Sequence, residues 1–128
     1  MKTLRRKYRY ATREAAEQAA VNARRETYLY WSALNAMVNG TVQWLPDNYG
    51  DSNSYYRFGL VVNGCEPVFL ITHFNPVTRQ KPRTTVLDEQ AIDKLIDVMI
   101  KTASSYEDQN YRNGLMAIRE HQIVRIKP

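Results

Sequence analysis

The stretch YYRFGLVVNGCEPVFLITHF, residues 55–74, decides the fold because it holds two apolar runs separated by a short polar connection. Aromatic and β-branched residues dominate both runs, which is typical of β-strands. Asn63 and Gly64 have the sequence of a two-residue hairpin turn, but Pro67 follows closely and lacks the backbone N–H that a paired strand uses. We therefore expect a loop of four or five residues, from Asn63 to Glu66 or Pro67, with Cys65 at its exposed tip.

Another strand precedes this hairpin. The sequence GTVQWL, residues 40–45, predicts a strand that ends before Pro46, and the polar stretch PDNYGDSNS that follows predicts a loop. Because the links between these three strands are short, the strands are expected to pair antiparallel.

A long helix is predicted over residues 12–38, with Thr12 as its N-cap and Gly40 as its stop. Alanines at positions 15, 16, 19, 20 and 23 give its first half a stripe of small side chains. The segment ETYLYW, residues 26–31, also has strand propensity, so residues 26–38 have two interpretations. We favour the continuous helix, because the apolar stripe keeps its phase and SALNAM is poor strand sequence.

The remaining segments complete the fold. LDEQAIDKLIDVMIKTAS, residues 87–104, predicts a second helix capped by Asp88. Strands are predicted at residues 3–11, TLRRKYRYA, and at Gln122–Ile126. The order β-α-β-β-β-α-β predicts an α+β fold, in which two main helices pack on one face of an antiparallel sheet of about five strands. The whole chain, residues 1–128, is expected to form a single domain.

The composition places the chain among soluble globular proteins. It has 128 residues, 44% of them hydrophobic, and a formal net charge of +5. The basic residues concentrate near the start, in the segment after residue 75 and at the end, which suits a surface for a polyanion. No apolar stretch approaches the roughly 18 residues of a membrane span. With one cysteine and no secretory h-region, we expect a cytoplasmic protein without membrane association.

The motifs of catalysis and metal binding are missing from the sequence. Two distant histidines and one cysteine match no zinc spacing, so we expect neither a metal nor a cofactor. There is no glycine-rich phosphate loop. His73 cannot act with Thr72, because neighbouring strand residues point to opposite faces. We therefore assign no catalytic residue, and the chain is more readily interpreted as a non-enzyme.

The segment HFNPVTRQKPRTT, residues 73–85, is the main candidate binding site. It carries three cations at alternate positions and no acid, and two prolines stiffen it. Hydroxyls and cations near a helix start are groups that a phosphate uses. A second candidate segment is NYRNG, residues 110–114. Its tyrosine suits stacking on a base, and the neighbouring arginine suits binding of the phosphate. The candidate ligand-binding residues are Arg79, Lys81, Arg83, Thr84 and His73, the cations Arg5, Lys7 and Arg9 of the first strand, and Tyr111 with Arg112.

Three functional hypotheses follow. The first is a small, basic, non-enzymatic protein that binds a phosphate-bearing ligand, either nucleic acid or a small nucleotide. The second is a protein-interaction module, such as a small inhibitor or adaptor of the kind carried by phages and mobile elements. The third is an enzyme with an unrecognised site. The smooth alanine-rich helix also predicts a homo-oligomer.

Overall fold

The computed structural model describes residues 12–63 and 66–126. It has an α+β fold with a five-stranded antiparallel sheet, so the predicted class and the antiparallel pairing are confirmed. The elements in chain order are α1 (Arg13–Asn39), β1 (Gln43–Trp44), β2 (Tyr49–Gly50), β3 (Tyr55–Asn63), β4 (Glu66–Phe74), β5 (Arg83–Leu87), α2 (Glu89–Thr102) and α3 (Tyr106–Ile126). Among these helices, none combines the length and the apolar character that crossing a membrane requires.

The long β3–β4 ladder forms the centre of the sheet. Its pairing runs from Tyr55 opposite Phe74 to Asn63 opposite Glu66. β5 pairs with the other side of β4, while β1 and β2 pair with successive parts of β3. Two strands were missing from the prediction. β2 lies within the expected loop, and β5 begins in the candidate binding segment and ends at Leu87, the first residue of the predicted second helix.

The predicted loop of four or five residues is wrong, because the ladder reaches Asn63 and resumes at Glu66. Adjacent pairs of an antiparallel ladder alternate between those that exchange backbone hydrogen bonds and those that do not. Leu45 N–H donates to the Phe58 carbonyl from the β1 side at 2.8 Å, so Phe58 and, by alternation, Val62 turn their backbone groups away from β4. Pro67, opposite Val62, therefore needs no donor toward β3. The prediction for Cys65 lies outside the described residues.

Both faces of the sheet are covered by helices, and the prediction that the two main helices share one face is wrong. α1 packs on one face, and α2 and α3 pack on the other. The reason is that β3 and β4 are apolar at consecutive positions, so each strand has buried side chains on both faces. One cluster contains Phe58, Leu60, Phe69, Ile71, Ile92, Leu115 and Ile118. The other contains Leu29, Ala33, Ala36, Val61, Val68 and Leu70.

The first helix is continuous through residues 26–38, as predicted, and its caps are confirmed. Thr12 Oγ1 accepts a hydrogen bond from Ala15 N–H at 3.1 Å. Gly40 ends the helix with a φ of 69°, a left-handed conformation that glycine adopts without strain. The buried residues of α1 lie between Leu29 and Ala36, so its N-terminal half extends beyond the sheet. We call residues 13–24 the α1 overhang.

The predicted strand at Gln122–Ile126 is wrong, because these residues belong to α3. Leu115, Ile118 and Gln122 are buried and are spaced so that one side of a helix carries all three. Gly114 obscured this pattern in the sequence, since glycine is a poor residue in a helix interior. The predicted strand at residues 3–11 lies outside the described residues.

Gly114 allows α3 to approach the sheet closely, and replacing it with alanine is expected to destabilise the fold. A Cβ at this position overlaps the ring of Phe58. Overpacking of this kind costs about 1–3 kcal/mol, which exceeds the gain in helix propensity of about 1 kcal/mol. Urea denaturation should therefore show a lower free energy of unfolding for Gly114→Ala.

A double-mutant cycle separates this overlap from other effects of the substitution. In a Phe58→Leu background the smaller side chain leaves room for the methyl group, so the added cost of Gly114→Ala should shrink. Equal costs in the two backgrounds would show that Phe58 is not the reason for the glycine.

Candidate functional site

The basic loop, residues 75–82, connects β4 to β5 at the end of the sheet opposite the β3–β4 connection. Thr78 Oγ1 donates to the Asn75 carbonyl at 3.2 Å, and Arg79 N–H donates to the Pro76 carbonyl at 3.4 Å. Arg79 has a φ of 57°, so the chain makes a turn there. Alternate positions align the side chains of Arg79, Lys81 and Arg83 only in an extended segment, and Arg79 is not extended.

The cations of this loop and of the strand that follows it are exposed and lack acidic partners. Arg79, Lys81 and Arg83 are exposed, and within residues 12–63 and 66–126 none of them contacts a carboxylate. By contrast, Arg25 contacts Glu66 and Asp88, and Arg119 contacts Glu89 and Asp93. The positive charge near the loop is thus not neutralised by nearby acids of the described chain.

Thr84 points to the opposite face of β5 from Arg83, because successive strand residues alternate. Its hydroxyl lies 3.1 Å from the Thr72 hydroxyl on β4. Asp88 caps α2 as predicted, with its Oδ1 accepting from Ala91 N–H at 2.8 Å. The N-terminus of α2 is therefore satisfied internally, and Thr84 and Arg83 do not converge on it.

His73 lies beside Arg83 in the sheet, but its ring is engaged within the protein. It pairs across strands with Tyr56 on one side and Arg83 on the other. The His73 ring stacks on Tyr56 with centroids 4.4 Å apart, and its Nε2 lies 2.8 Å from Ser54 Oγ. Tyr56 donates its hydroxyl hydrogen bond to Glu107 at 2.8 Å. This network ties the start of α3 to the sheet.

The same network does not have the geometry of a nucleophilic relay. In a serine–histidine–carboxylate triad, the serine and the carboxylate bind different nitrogens of the imidazole. Here Ser54 Oγ and Glu107 Oε2 both lie near Nε2, at 2.8 and 3.9 Å. Glu107 therefore does not orient the imidazole from the opposite nitrogen, as the carboxylate of a triad does.

Tyr111 and Arg112 do not form the expected stack and clamp. The Tyr111 ring packs edge-on against Tyr56, with centroids 4.9 Å apart, and also lies against Phe58. Burial raises the pKa of Tyr111. Arg112 donates to the side chain of Asn113 at 3.3 and 3.2 Å. Tyr111 therefore serves the core, and Arg112 bonds along its own helix.

Arg5, Lys7 and Arg9 lie outside the described residues. Their contribution to ligand binding stays a prediction.

A second feature was not recognised in the sequence. We call it the open sheet face, the half of the α1 side of the sheet that lies nearest the basic loop. Tyr55 and Phe74 stack there with centroids 5.0 Å apart, and the Arg57 guanidinium lies 5.2 Å from the Trp44 ring centroid. The apolar cluster beneath α1 does not extend to Tyr55, Arg57 or Phe74. The face is formed by Trp44, Tyr55, Arg57, Thr72, Phe74 and Thr84.

Arg57 is the unusual member of this face. Its Nε is buried and has no hydrogen-bond partner among the described residues. A buried donor without a partner costs about 1–3 kcal/mol. The alternation of Tyr55, Arg57 and Gly59 could have placed Arg57 on this face, but its neighbours depend on strand register, which the sequence does not specify.

The surface cavities are not lined by the cations of the basic loop. Five surface cavities have volumes of about 200 to 740 Å³, and Arg79, Lys81 and Arg83 line none of the five. In the described part of the chain, no group of three or more histidine, cysteine or acidic side chains is arranged to hold a metal ion.

Comparisons of the chain with protein-family models, with curated proteins and with solved structures give no match. A functional proposal for this chain therefore depends on its own side chains and their geometry.

Alkaline pH is expected to destabilise the fold through three tyrosines. Burial raises the pKa of Tyr49, Tyr111 and Tyr56, and the bond to Glu107 raises the pKa of Tyr56 further. Each phenol therefore holds its proton more tightly in the folded chain than in the unfolded chain. The stabilisation is complete below the unfolded pKa of about 10 and is lost as the pH rises toward the folded value.

Urea denaturation at increasing pH measures this effect. The free energy of unfolding should fall above about pH 10, and Tyr56→Phe should make the fall less steep. Tyr106→Phe is the matched control, since Tyr106 is 64% exposed. An unchanged pH slope in Tyr56→Phe would remove Tyr56 from this explanation.

Proposed function

We propose that the chain is a non-enzymatic protein that binds the phosphate backbone of nucleic acid through the basic loop and the start of β5. The observation that carries this proposal is the exposure of Arg79, Lys81 and Arg83 without a carboxylate partner among the described residues. The three cations lie within five residues of one another, in an acid-free run over residues 67–87. Closely spaced cations of this kind supply the sequence-independent part of nucleic-acid affinity.

The geometry favours an extended polyanion over a small nucleotide. A small ligand is held in a concave site that buries most of its surface, and the three cations line none of the five cavities. A backbone that carries a phosphate at each nucleotide can contact exposed cations without a pocket.

Acidic groups bias the approach of such a ligand. Glu107 lies near His73, and Asp51 lines the same cavity as Glu107 and Tyr56. These carboxylates repel phosphate from the side of the basic loop that lies near the start of α3. The outer tip of the loop and the β5 edge, where Arg83 lies, carry no acid of their own. A phosphate backbone therefore fits best along the outer tip of the loop, beside Arg83.

Replacing Arg79, Lys81 and Arg83 together with alanine is expected to weaken binding and to reduce its salt dependence. Each lost phosphate contact lowers the slope of log affinity against log salt by about 0.7 to 0.9, so three contacts account for about 2 to 3. Fluorescence anisotropy of labelled single-stranded and double-stranded oligonucleotides, at several salt concentrations, measures both quantities and shows which form is preferred.

The matched control is Arg24→Ala, Lys94→Ala and Lys101→Ala, which removes three exposed cations from helix surfaces. Both triple variants lower the formal net charge by three from +5, so a general charge effect weakens them equally. A selective loss in the loop variant supports the proposal. Equal losses in the two variants, or no binding by the wild-type chain at low salt, would contradict it.

A further inference from the structure

The outer edge of β5 offers backbone groups for another strand. The backbone N–H and C=O of Phe58 point away from β4. Those of its cross-strand partner Ile71 therefore point toward β5, where they exchange hydrogen bonds with Thr85. By alternation, the N–H and C=O groups of Thr84 and Val86 point outward. Within the described ranges, 12–63 and 66–126, no strand pairs with this side. An open edge of this kind is a ready template for strand addition.

The α1 helix roofs the space beside this edge. A cavity of about 740 Å³ lies between α1 and β5, bounded by Ala23, Thr27 and Tyr30 on the helix and by Thr84 and Val86 on the strand. A sixth strand paired with β5 would occupy the sheet side of this space, opposite α1. The α1 overhang continues outward above the position that the added strand and its neighbours would take.

The overhang lacks the packing that normally holds a helix. Its residues are exposed except for Ala16 and Ala19, which are half-buried. A helix segment of this length is marginal in water without tertiary contacts. The small side chains at 16, 19, 20 and 23 let another surface approach its backbone closely.

We infer that a second copy of this chain occupies the β5 edge, in a two-fold dimer whose sheets join through their β5 strands. With the axis at Thr85, Thr84 of each copy lies opposite Val86 of the other, and the outward groups of both residues are paired. The axis is perpendicular to the sheet, so both α1 helices lie on the same side. The overhang of each copy then crosses the open sheet face of the other, the half that its own α1 leaves uncovered.

Charge complementarity favours this occupant. The open sheet face carries Arg57, which contacts no described carboxylate, and none of its residues is acidic. The overhang carries Glu14, which contacts no described cation, and Glu17, which contacts Arg13 of the same helix, so Glu14 is the acid that it brings to the neighbourhood of that arginine.

The other candidates for this surface match it less well. Residues 1–11 contain five Lys and Arg and no acid, so they repel Arg57 and Arg83. Nucleic acid is attracted by the basic loop, but it has no peptide strand to pair with the outward N–H and C=O groups of Thr84 and Val86. A second copy is the occupant that pairs with the β5 edge, packs against the overhang and brings an acid near Arg57.

Sedimentation velocity on the full chain without nucleic acid tests this dimer. The sedimentation coefficient of the wild-type protein should correspond to twice the chain mass of 14.9 kDa. Thr84→Pro removes an outward N–H at an edge position where proline is tolerated, and it should raise the dimer dissociation constant about tenfold or more. Thr84→Val keeps the N–H and loses only the hydroxyl, so it should remain dimeric. A folded Thr84→Pro variant that stays dimeric contradicts the inference.

A second pair of variants tests the overhang in case Thr84→Pro does not fold. Ala19→Arg places a large charged side chain in the small-residue stripe and should dissociate the dimer, whereas Gln18→Arg adds the same side chain on the neighbouring exposed position and should not. Equal masses for these two variants contradict the placement of the overhang.

Amide hydrogen exchange at Thr84 and Val86 distinguishes the occupants. Protection that rises with protein concentration supports the dimer. A wild-type monomer at 14.9 kDa overturns it. In that case, protection independent of concentration assigns the edge to the chain's own residues, and protection that appears only with an oligonucleotide assigns it to nucleic acid.

Discussion

The double-sided apolar character of the β3–β4 ladder is the constraint on which the rest of the structure depends. Phe58, Leu60 and Phe69 face one side, while Val68 and Leu70 face the other, and all five are fully buried. Each such side chain contributes about 1.5–3 kcal/mol when it leaves water. Because neither face can remain in water, the chain must supply a helix layer on each side. α1 provides one layer, and the α2–α3 pair provides the other.

The two layers differ in how firmly they are attached. α3 lies directly on the Phe58 ring through Gly114 and is joined to α2 by Arg119, which donates to Asp93 at 2.8 Å and to Glu89 at 3.1 Å. α1 has only Leu29, Ala33 and Ala36 buried, and two of these side chains are single methyl groups. The α1 layer therefore covers only part of its face, and the arginine and aromatic residues of the open sheet face remain half-buried as a result of this incomplete cover.

Local signals in the sequence were sufficient for some elements and not for others. Thr12, Gly40 and Asp88 mark helix ends through short-range hydrogen bonds or backbone conformation, so their roles follow from neighbouring residues alone. Gly114 has a role that depends on Phe58, far away in the chain, and the low helix propensity of glycine gives no indication of this role. The consecutive apolar residues of β3 and β4 indicate burial on both faces, which is not compatible with the predicted placement of both main helices on one face.

The candidate site likewise contains features that neighbouring residues determine and features that distant residues determine. The exposure of Arg79, Lys81 and Arg83 could be predicted because that part of the chain contains no acid and two prolines. The surroundings of His73 could not, since Ser54, Tyr56 and Glu107 reach it from the β2–β3 turn, the neighbouring strand and the start of α3. Cross-strand register, set by the whole ladder, decides which of these side chains meet.

The attachment of α1 at Arg25 has a mechanical consequence. This arginine contacts Glu66 at the start of β4 at 3.0 Å and Asp88 at the cap of α2 at 3.3 Å, so it forms the last fixed point before the helix leaves the body of the protein. The twelve helical residues from Arg13 to this point form a lever about 18 Å long, at 1.5 Å per residue. A rotation of about 10° at the pivot therefore displaces the tip of the lever by about 3 Å. A small rearrangement among these three charged side chains is thus amplified into a displacement of about 3 Å at the far end of the helix.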